Sequence, residues 1–231
     1  HWLPARVQWQ NYATVWMNEE ASMLRAFANT LYIALFSIIG QMFISSLAAY
    51  SFAKINFKGK QVVFMLFLSS MMVPSQLTII PRFMLFKTIG LYNNLWAIIL
   101  PAFFGATSIF MLRQFYMGLP NDLIEAAKID GAGHLRIFLR IMLPLTKAAL
   151  MSLIILAFIS SWNEYMAPLI FLVKKELYTV SQNIQWYMLD EFKEHNLTMA
   201  AATSAIVPVV ILFIVGQKYF VEGIATSGVK G

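Results

Sequence analysis

Residues 26–53 read AFANTLYIALFSIIGQMFISSLAAYSFA, a run that contains no Asp, Glu, Lys or Arg. An α-helix of about 20 apolar residues crosses the roughly 30 Å hydrocarbon core of a bilayer. Because this run is longer than that minimum and carries no charge, it predicts a membrane-spanning helix. The rest of the chain therefore has to be interpreted with lipid as its main solvent.

Four further stretches are similarly apolar: 61–81, 88–112, 148–173 and 197–217. Glu164 is the one charged residue within them. Overall, 59% of the residues are hydrophobic and 12% are charged, whereas about 25% are charged in an ordinary soluble domain. The sequence predicts an all-α polytopic membrane protein, a helical bundle with five spans. Kinks are expected at Pro74, Pro168 and Pro208, because a packed bundle can satisfy the backbone groups that proline frees.

The charges of the loops predict the orientation of the chain. One alternating set comprises 54–60, 113–147 and 218–231, and it holds ten Lys and Arg against four Asp and Glu. The other set comprises 1–25, 82–87 and 174–196, and it holds seven against six. Since Lys and Arg are retained on the cytoplasmic side, the first set is expected in the cytoplasm and the second outside. The C-terminus is then cytoplasmic.

These assignments divide the chain into segments. Residues 26–217 form the transmembrane domain, with a cytoplasmic loop at 113–147 and an extracytoplasmic loop at 174–196, and 218–231 form a cytoplasmic tail. Residues 1–25 form an extracytoplasmic segment whose aromatic residues suit the membrane interface: Trp2, Trp9, Tyr12 and Trp16. Because this segment is outside and shows no export signal, we expect one further span before His1, six in all.

Several classes of function lack the residues they need. The chain has no cysteine, which excludes thiolate nucleophiles and Cys-based zinc sites. The Gly59-Lys60 pair lacks the glycine spacing of a Walker A phosphate loop, and the three histidines have no metal-ligand spacing. The net charge of +6 follows from the cytoplasmic loops and does not indicate nucleic acid. We predict no catalytic residue, metal or cofactor site in this chain.

The cytoplasmic loop 113–147 has a helical pattern. Asp122 stands three residues before Glu125, which predicts a start like a capping box, and Gly131 supplies a natural stop where φ can become positive. A second helix is expected from about His134 to Met142. Two short helices that meet at a glycine corner form a surface suited to docking.

Residues 125–144 contain a specific motif. Glu125-Ala126-Ala127 is followed by three residues, Gly131, nine residues and Ile141-Met142-Leu143-Pro144. This matches the EAA motif of importer permeases at every specified position. With Ser161-Trp162-Asn163-Glu164 and the tail from Gln217 to Ile224, the chain resembles the permease subunits of maltose-type carbohydrate ABC importers, which have a type I permease fold.

The resemblance implies a set of partners. Two copies of a separate cytoplasmic ATPase would bind ATP and Mg, and the loop would insert its helix into a cleft on one of them. The residues of this coupling surface would be Glu125, Ala126, Ala127, Asp130, Gly131, Ile141, Leu143 and Pro144. A second permease subunit, expected to be a different homologue, an extracytoplasmic solute-binding protein, a sugar and the lipids of a prokaryotic cell membrane complete the set. The alternative, that Glu125 only caps a helix and Gly131 only ends it, is compatible with docking.

Two further groups are candidates for solute handling. A charge near the bilayer centre is costly, so Glu164 should face protein or water, and with Trp162, Asn163 and Tyr165 it could line a sugar path. The alternative is a structural contact near a kink. In the loop 174–196, residues suited to contact the solute-binding protein are Gln182, Asn183, Gln185, Trp186 and Tyr187. The alternative there is a re-entrant segment that covers the bundle.

Rival functions make different demands. A membrane-embedded enzyme would need several titratable groups inside the bundle, where the sequence places one acid. An ion-driven secondary transporter would explain five or six spans but has no need of an ATPase-docking loop. Within the importer class, the solute could instead be a polyamine or a phosphate ester.

Overall fold

The computed structural model describes residues 7–189 and 195–228, with side chains as far as Gln217. The predicted interfacial residue Trp2, residues 190–194 of the outer loop and residues 229–231 of the tail lie outside the described part. That part is helical and contains no β-strand. The predicted all-α class is confirmed.

Thirteen α-helices are present in the described ranges. The first seven are α1 Gln10–Met17, α2 Met23–Lys54, α3 Lys60–Ser69, α4 Ser75–Thr88, α5 Trp96–Ala102, α6 Ala106–Gly118 and α7 Asp122–Ile129. The others are α8 His134–Ile137, α9 Leu143–Leu145, α10 Lys147–Asn163, α11 Met166–Phe171, α12 Val180–Tyr187 and α13 His195–Gly228.

Helix α2 is an unbroken helix of 32 residues, which corresponds to a length of about 48 Å. Its N-terminus is capped by Ser22, whose hydroxyl accepts from the Arg25 backbone N–H. Small side chains such as Ser45 and Ala49 are fully buried on its packed face and allow neighbouring helices to approach closely. Helix α2 packs against α5, α6 and α10, so it forms the centre of the bundle.

Three of the five predicted spans are not single unbroken helices, and one of them, 88–112, is divided between α5 and α6. Three segments of the described chain are long and apolar enough to cross a membrane: Met23–Lys54, Trp96–Gly118 and His195–Gln217. The predicted span 61–81 is instead bent by 97° between α3 and α4, at Pro74. The predicted span 148–173 ends as a helix at Asn163, and α11 follows after a break. Up to five spans are possible in the described chain if each of two bent helix pairs crosses once: Lys60–Met72 with Ser75–Thr88, and His134–Leu145 with Lys147–Asn163.

The three prolines at which kinks were predicted differ in their effect on the helices. Pro74 precedes the first residue of α4, where the missing N–H costs no helical hydrogen bond, and the chain turns there. Pro168 lies inside α11, after a break that begins at Glu164. Pro208 lies within α13, which continues through it.

Buried side chains form three clusters along the bundle. One, around Tyr50, Tyr116 and Phe138, joins α2 and α6 to the loop 113–147. A second, around Ile33 and Phe171, joins α2 to α5 and α11. The third joins α1, α12 and the start of α13; its members include Val15, Met23, Trp162, Tyr187 and Ala201. Many large apolar side chains outside these clusters are exposed, as expected of helices whose surroundings are lipid.

Candidate functional site

The loop 113–147, which the sequence predicts to be cytoplasmic, folds as two short helical segments about a glycine corner. Helix α7 ends at Ile129, and Gly131 has a φ of +77°, in the left-handed region that glycine adopts without a steric cost. The predicted glycine stop is confirmed. The predicted capping box is wrong, because the N-cap is Asn121 and it makes no side-chain capping bond. Asp122 and Glu125 lie in the first turn of α7, where the helix dipole favours negative charge.

The second helical segment runs from His134 through Met142, as predicted, but its conformation changes along the way. A π-helical turn at Phe138–Met142 separates α8 from α9, and π turns are uncommon and often lie at functional positions. Pro144 sits at the start of α9. A 76° bend then separates this segment from α10.

The eight predicted coupling residues fall into two groups. Glu125, Ala126, Asp130, Gly131 and Pro144 are exposed, so this part of the surface is free to meet a partner. The other three, Ala127, Ile141 and Leu143, pack against the cluster around Tyr50 and Phe138. The loop therefore presents one face outward and attaches the other to the spans.

Hydrogen bonds fix that inner face to the end of α2. Lys54 Nζ donates to the Leu119 carbonyl and to Asn121 Oδ1, each at 2.7 Å. Tyr50 Oη and His134 Nδ1 share a hydrogen bond of 3.1 Å. Sequence reasoning treated Lys54 only as a charge that sets orientation and did not consider Tyr50. The signal available was their spacing of four residues on one face of α2.

A cavity of about 400 Å³ lies beside three breaks between consecutive helices: between α3 and α4, between α5 and α6, and between α10 and α11. Its lining comes from α2, the start of α4, the end of α5, the end of α10 and the start of α11. Polar lining residues include Ser37, Gln41, Gln76, Arg82 and Glu164. Volumes of roughly 300–1,000 Å³ are typical of small-molecule sites, so the cavity is large enough for a solute.

Of the four residues predicted for the solute path, Glu164 lines the cavity. Its Oε1 also accepts from the Ala167 N–H at 3.0 Å, so both the path and the structural contact are compatible with its position. Trp162 is 2% exposed, and its Nε1 donates to the Ala205 carbonyl. Trp162 therefore belongs to the core rather than to the cavity. Asn163 and Tyr165 lie outside the cavity lining.

Sequence reasoning missed Arg82 and Ser37. Arg82 was assigned to an outer loop because the segment 61–81 was expected to cross the membrane as one span with a kink at Pro74, whereas the 97° bend there brings Arg82 to the cavity. Ser37 and Gln41 are four residues apart, with Thr30 and Ser45 near the same face of α2. A polar stripe within an apolar span was the signal that could have found them.

Four of the five residues predicted to contact a solute-binding protein are buried: Gln182, Asn183, Trp186 and Tyr187. The capping box of α12, Thr179 with Gln182, is complete. Asn183 Nδ2 and the Tyr187 hydroxyl both donate to the Ala21 carbonyl. These side chains hold α12 against the bundle, and the prediction is corrected accordingly.

Gln185 is the exposed member of that group. It remains available on the outer face of α12.

Burial raises the pKa of Tyr187 to about 12, so its hydroxyl remains a hydrogen-bond donor at neutral pH.

Residues 41–226 match the family model of the binding-protein-dependent transport system inner membrane component. The chain is 35% identical over 228 residues to the arabinooligosaccharides transport system permease protein AraQ of Bacillus subtilis (strain 168), covering 99% of this chain and 81% of AraQ. It is 32% identical to the melibiose/raffinose/stachyose import permease protein MelC of the same organism, covering 99% of this chain and 83% of MelC. It is 30% identical to the sn-glycerol-3-phosphate transport system permease protein UgpE of Yersinia enterocolitica, covering 97% and 82%.

A solved structure has the same fold. One chain in the crystal structure of a bacterial ABC transporter involved in the import of the acidic polysaccharide alginate matches with a TM-score of 0.84 and 25% identity, over 94% of this chain and 81% of that chain. A second alginate transporter structure, in complex with an alginate pentasaccharide-bound periplasmic protein, matches with a TM-score of 0.69 and 15% identity, over 92% and 81%. The fold is thus shared with importer permeases.

Proposed function

This chain belongs to the family of inner membrane components of binding-protein-dependent transport systems, and on that premise we propose that it helps to import di- or oligosaccharides in an ATP-driven transporter. It would form half of the translocation path beside a second, different permease subunit. The observation that carries the proposal is the loop 113–147. Its motif residues Glu125, Ala126 and Asp130 are exposed, while its inner face is hydrogen-bonded to α2.

The choice of a sugar rests on the relatives. AraQ and MelC are named for oligosaccharides, and the solved structural neighbour imports a polysaccharide. UgpE is named for sn-glycerol 3-phosphate, so a phosphate ester is the alternative that the comparisons themselves supply. A polyamine has no such relative among those described.

The proposed partners dock at opposite ends of the bundle. On the cytoplasmic side, α7 would insert into a cleft of a separate ATPase, two copies of which bind ATP and Mg. On the outer side, Gln185 would contact the solute-binding protein. This arrangement places the C-terminus in the cytoplasm of a prokaryotic cell, in agreement with the charges of the loops.

Helix α2 would transmit the motion of the ATPases to the cavity. Closure of the ATPases moves the docked loop, and the loop is joined to α2 by Lys54 and Tyr50. The same helix lines the cavity at Ser37 and Gln41. A conformational change needs contacts that differ between two states, and a continuous helix can transmit the displacement between them.

The test is uptake by the whole transporter in proteoliposomes. Permease, sister permease, ATPase and solute-binding protein are reconstituted together, and uptake of labelled raffinose is measured with internal or external ATP. Uptake that requires both ATP and the solute-binding protein supports the proposal. Uptake driven by a sodium or proton gradient without ATP would instead show an ion-driven secondary transporter.

A further inference from the structure

The cavity at the three helix breaks contains polar groups that have no partner in the described part of the chain. Ser37 is 3% exposed and lines the cavity, and its hydroxyl makes no hydrogen bond there. The Nε of Arg82 is also buried without a partner. Buried polar groups are nearly always hydrogen-bonded in folded proteins. Two such groups in one cavity indicate that it accommodates a polar molecule.

The guanidinium of Arg82 lies over an aromatic ring. Its central carbon lies 4.9 Å from the centroid of the Phe171 ring, and Phe171 is fully buried. Stacking on an aromatic face is a favourable arrangement for arginine. This packing favours a position of the positive charge beside the cavity.

A negative charge stands in the same cavity. Glu164 interacts electrostatically with Arg82, although the two groups form no ion pair within 4.0 Å among the bridges described. One oxygen of the Glu164 carboxylate accepts a hydrogen bond from the Ala167 N–H. Among the described lining residues, Arg82 and Glu164 are the charged ones, and their charges cancel.

We propose that the opposed charges of Arg82 and Glu164 make this cavity select neutral, hydroxyl-rich solutes over ions of either sign. The inference rests on the proposed transport function and adds the basis of solute selection. A sugar hydroxyl both donates and accepts hydrogen bonds, so one molecule can accept from Arg82 and donate to Glu164. A phosphate ester is attracted by Arg82 but repelled by Glu164, and a polyamine meets the reverse.

The test measures solute binding to the complete transporter in nanodiscs, without ATP and without the solute-binding protein. Raffinose, sn-glycerol 3-phosphate and spermidine serve as the neutral, anionic and cationic probes. The wild type should prefer raffinose. Because an unopposed charge at a few ångströms acts strongly in a partly desolvated site, Glu164→Gln should raise the ratio of glycerol 3-phosphate to raffinose binding by about tenfold. Arg82→Gln should raise the spermidine ratio to a similar extent.

The remaining variants separate charge from structure. The double variant Arg82→Gln with Glu164→Gln is again neutral and should recover the preference for raffinose, and Arg82→Lys and Glu164→Asp should retain it. Glu19→Gln and Arg25→Gln change exposed residues outside the cavity and should alter nothing. If Glu164→Gln fails to assemble, the Arg82→Gln result decides.

The outcomes distinguish this inference from the proposed function. Unchanged binding ratios in the single variants, in a preparation whose wild type shows ATP-dependent uptake, would overturn the inference alone. Absence of ATP-dependent, receptor-driven uptake by the wild type would count against the transport function. A shift of the ratios in the predicted directions supports the cavity as a charge-balanced solute site.

Discussion

At the scale of single residues, glycine positions in the cytoplasmic loop can be compared directly. Gly131 has a φ of +77°, and a Cβ placed there would meet no heavy atom within 4 Å. The nearby Gly133 has a φ of −73°, and its Cβ would also be in open space. The two positions thus differ in backbone conformation and not in steric room.

We therefore expect Gly131→Val to reduce uptake at least tenfold while Gly133→Val leaves it near the wild-type level. An L-residue in the left-handed region costs about 1–2 kcal/mol, and a β-branched residue is worse, so valine would straighten the corner. ATP-dependent uptake in proteoliposomes is the measurement, with subunit amounts checked by immunoblot. Equal effects of the two substitutions would show that the corner conformation does not matter.

A second residue-scale prediction concerns the outer face. With Gln182, Asn183, Trp186 and Tyr187 buried, contact with a solute-binding protein is expected through Gln185. Because the chain has no cysteine, Gln185→Cys creates a unique thiol. A thiol-reactive crosslinker should join it to the solute-binding protein, and Met17→Cys, exposed on α1, provides a comparison. A crosslink formed by Met17→Cys and not by Gln185→Cys would instead show that the contact surface lies on α1.

At the scale of elements, the decisive question is whether α2 and the loop 113–147 move together. Lys54 bonds both the end of the α6 segment, at Leu119, and the start of the α7 segment, at Asn121. Lys58, four residues later, is exposed in the short loop before α3. The two lysines allow the same substitution to be tested at a residue that is hydrogen-bonded to the loop 113–147 and at one that is exposed outside it.

Lys54→Met should uncouple ATP hydrolysis from transport. Losing charge-assisted hydrogen bonds to a partly buried carbonyl and an exposed amide costs about 1–3 kcal/mol, enough to weaken the contact between α2 and the loop without unfolding the bundle. We expect receptor-stimulated hydrolysis to continue while sugar uptake per ATP falls several-fold, and Lys58→Met to behave like the wild type. A parallel fall in both activities would mean that Lys54 serves assembly rather than transmission.

The elements also show what a sequence can and cannot specify. The apolar runs and the glycine corner were predictable, because hydrophobicity and a positive-φ requirement are written in local residue types. A kink at Pro74 was also predicted, but its size of 97° was not, because hydropathy reports transfer into lipid and carries no information on helix direction. The candidate site shows the same difference: Glu164 was identifiable as the lone acid within a predicted span, whereas the position of Arg82 at the cavity depended on the bend.

The prediction that α12 contacts a solute-binding protein through five side chains was inaccurate for a different reason. Amide and aromatic side chains in a loop are equally suited to recognise a partner or to fix a short helix to its own bundle. The spacing of Thr179 and Gln182 is a local sequence signal for a helix start, but which face the helix buries depends on Ala21 and Met23, more than 150 positions away in the chain. Such long-range pairings are not local properties.

At the scale of the whole molecule, α2 connects three levels. Near its outer end, Asn29 donates to the Glu176 and Tyr178 carbonyls. In the middle, Ser37 lines the cavity, and at the inner end Tyr50 and Lys54 hold the cytoplasmic loop. Helix α2 thus connects the proposed ATPase contact to the proposed solute cavity.

The central claim is that the exposed motif surface of α7 couples a separate ATPase to solute movement. The most direct measurement compares ATP-dependent, receptor-driven raffinose uptake by the wild type, by Glu125→Lys and by the charge-matched control Glu19→Lys, at equal subunit levels in proteoliposomes. Glu125→Lys reverses the charge at the start of α7, against the helix dipole and on the docking face. The account predicts uptake by the wild type and Glu19→Lys and at least a tenfold loss in Glu125→Lys. Normal uptake by Glu125→Lys would contradict it and leave the motif as a packing feature of the loop.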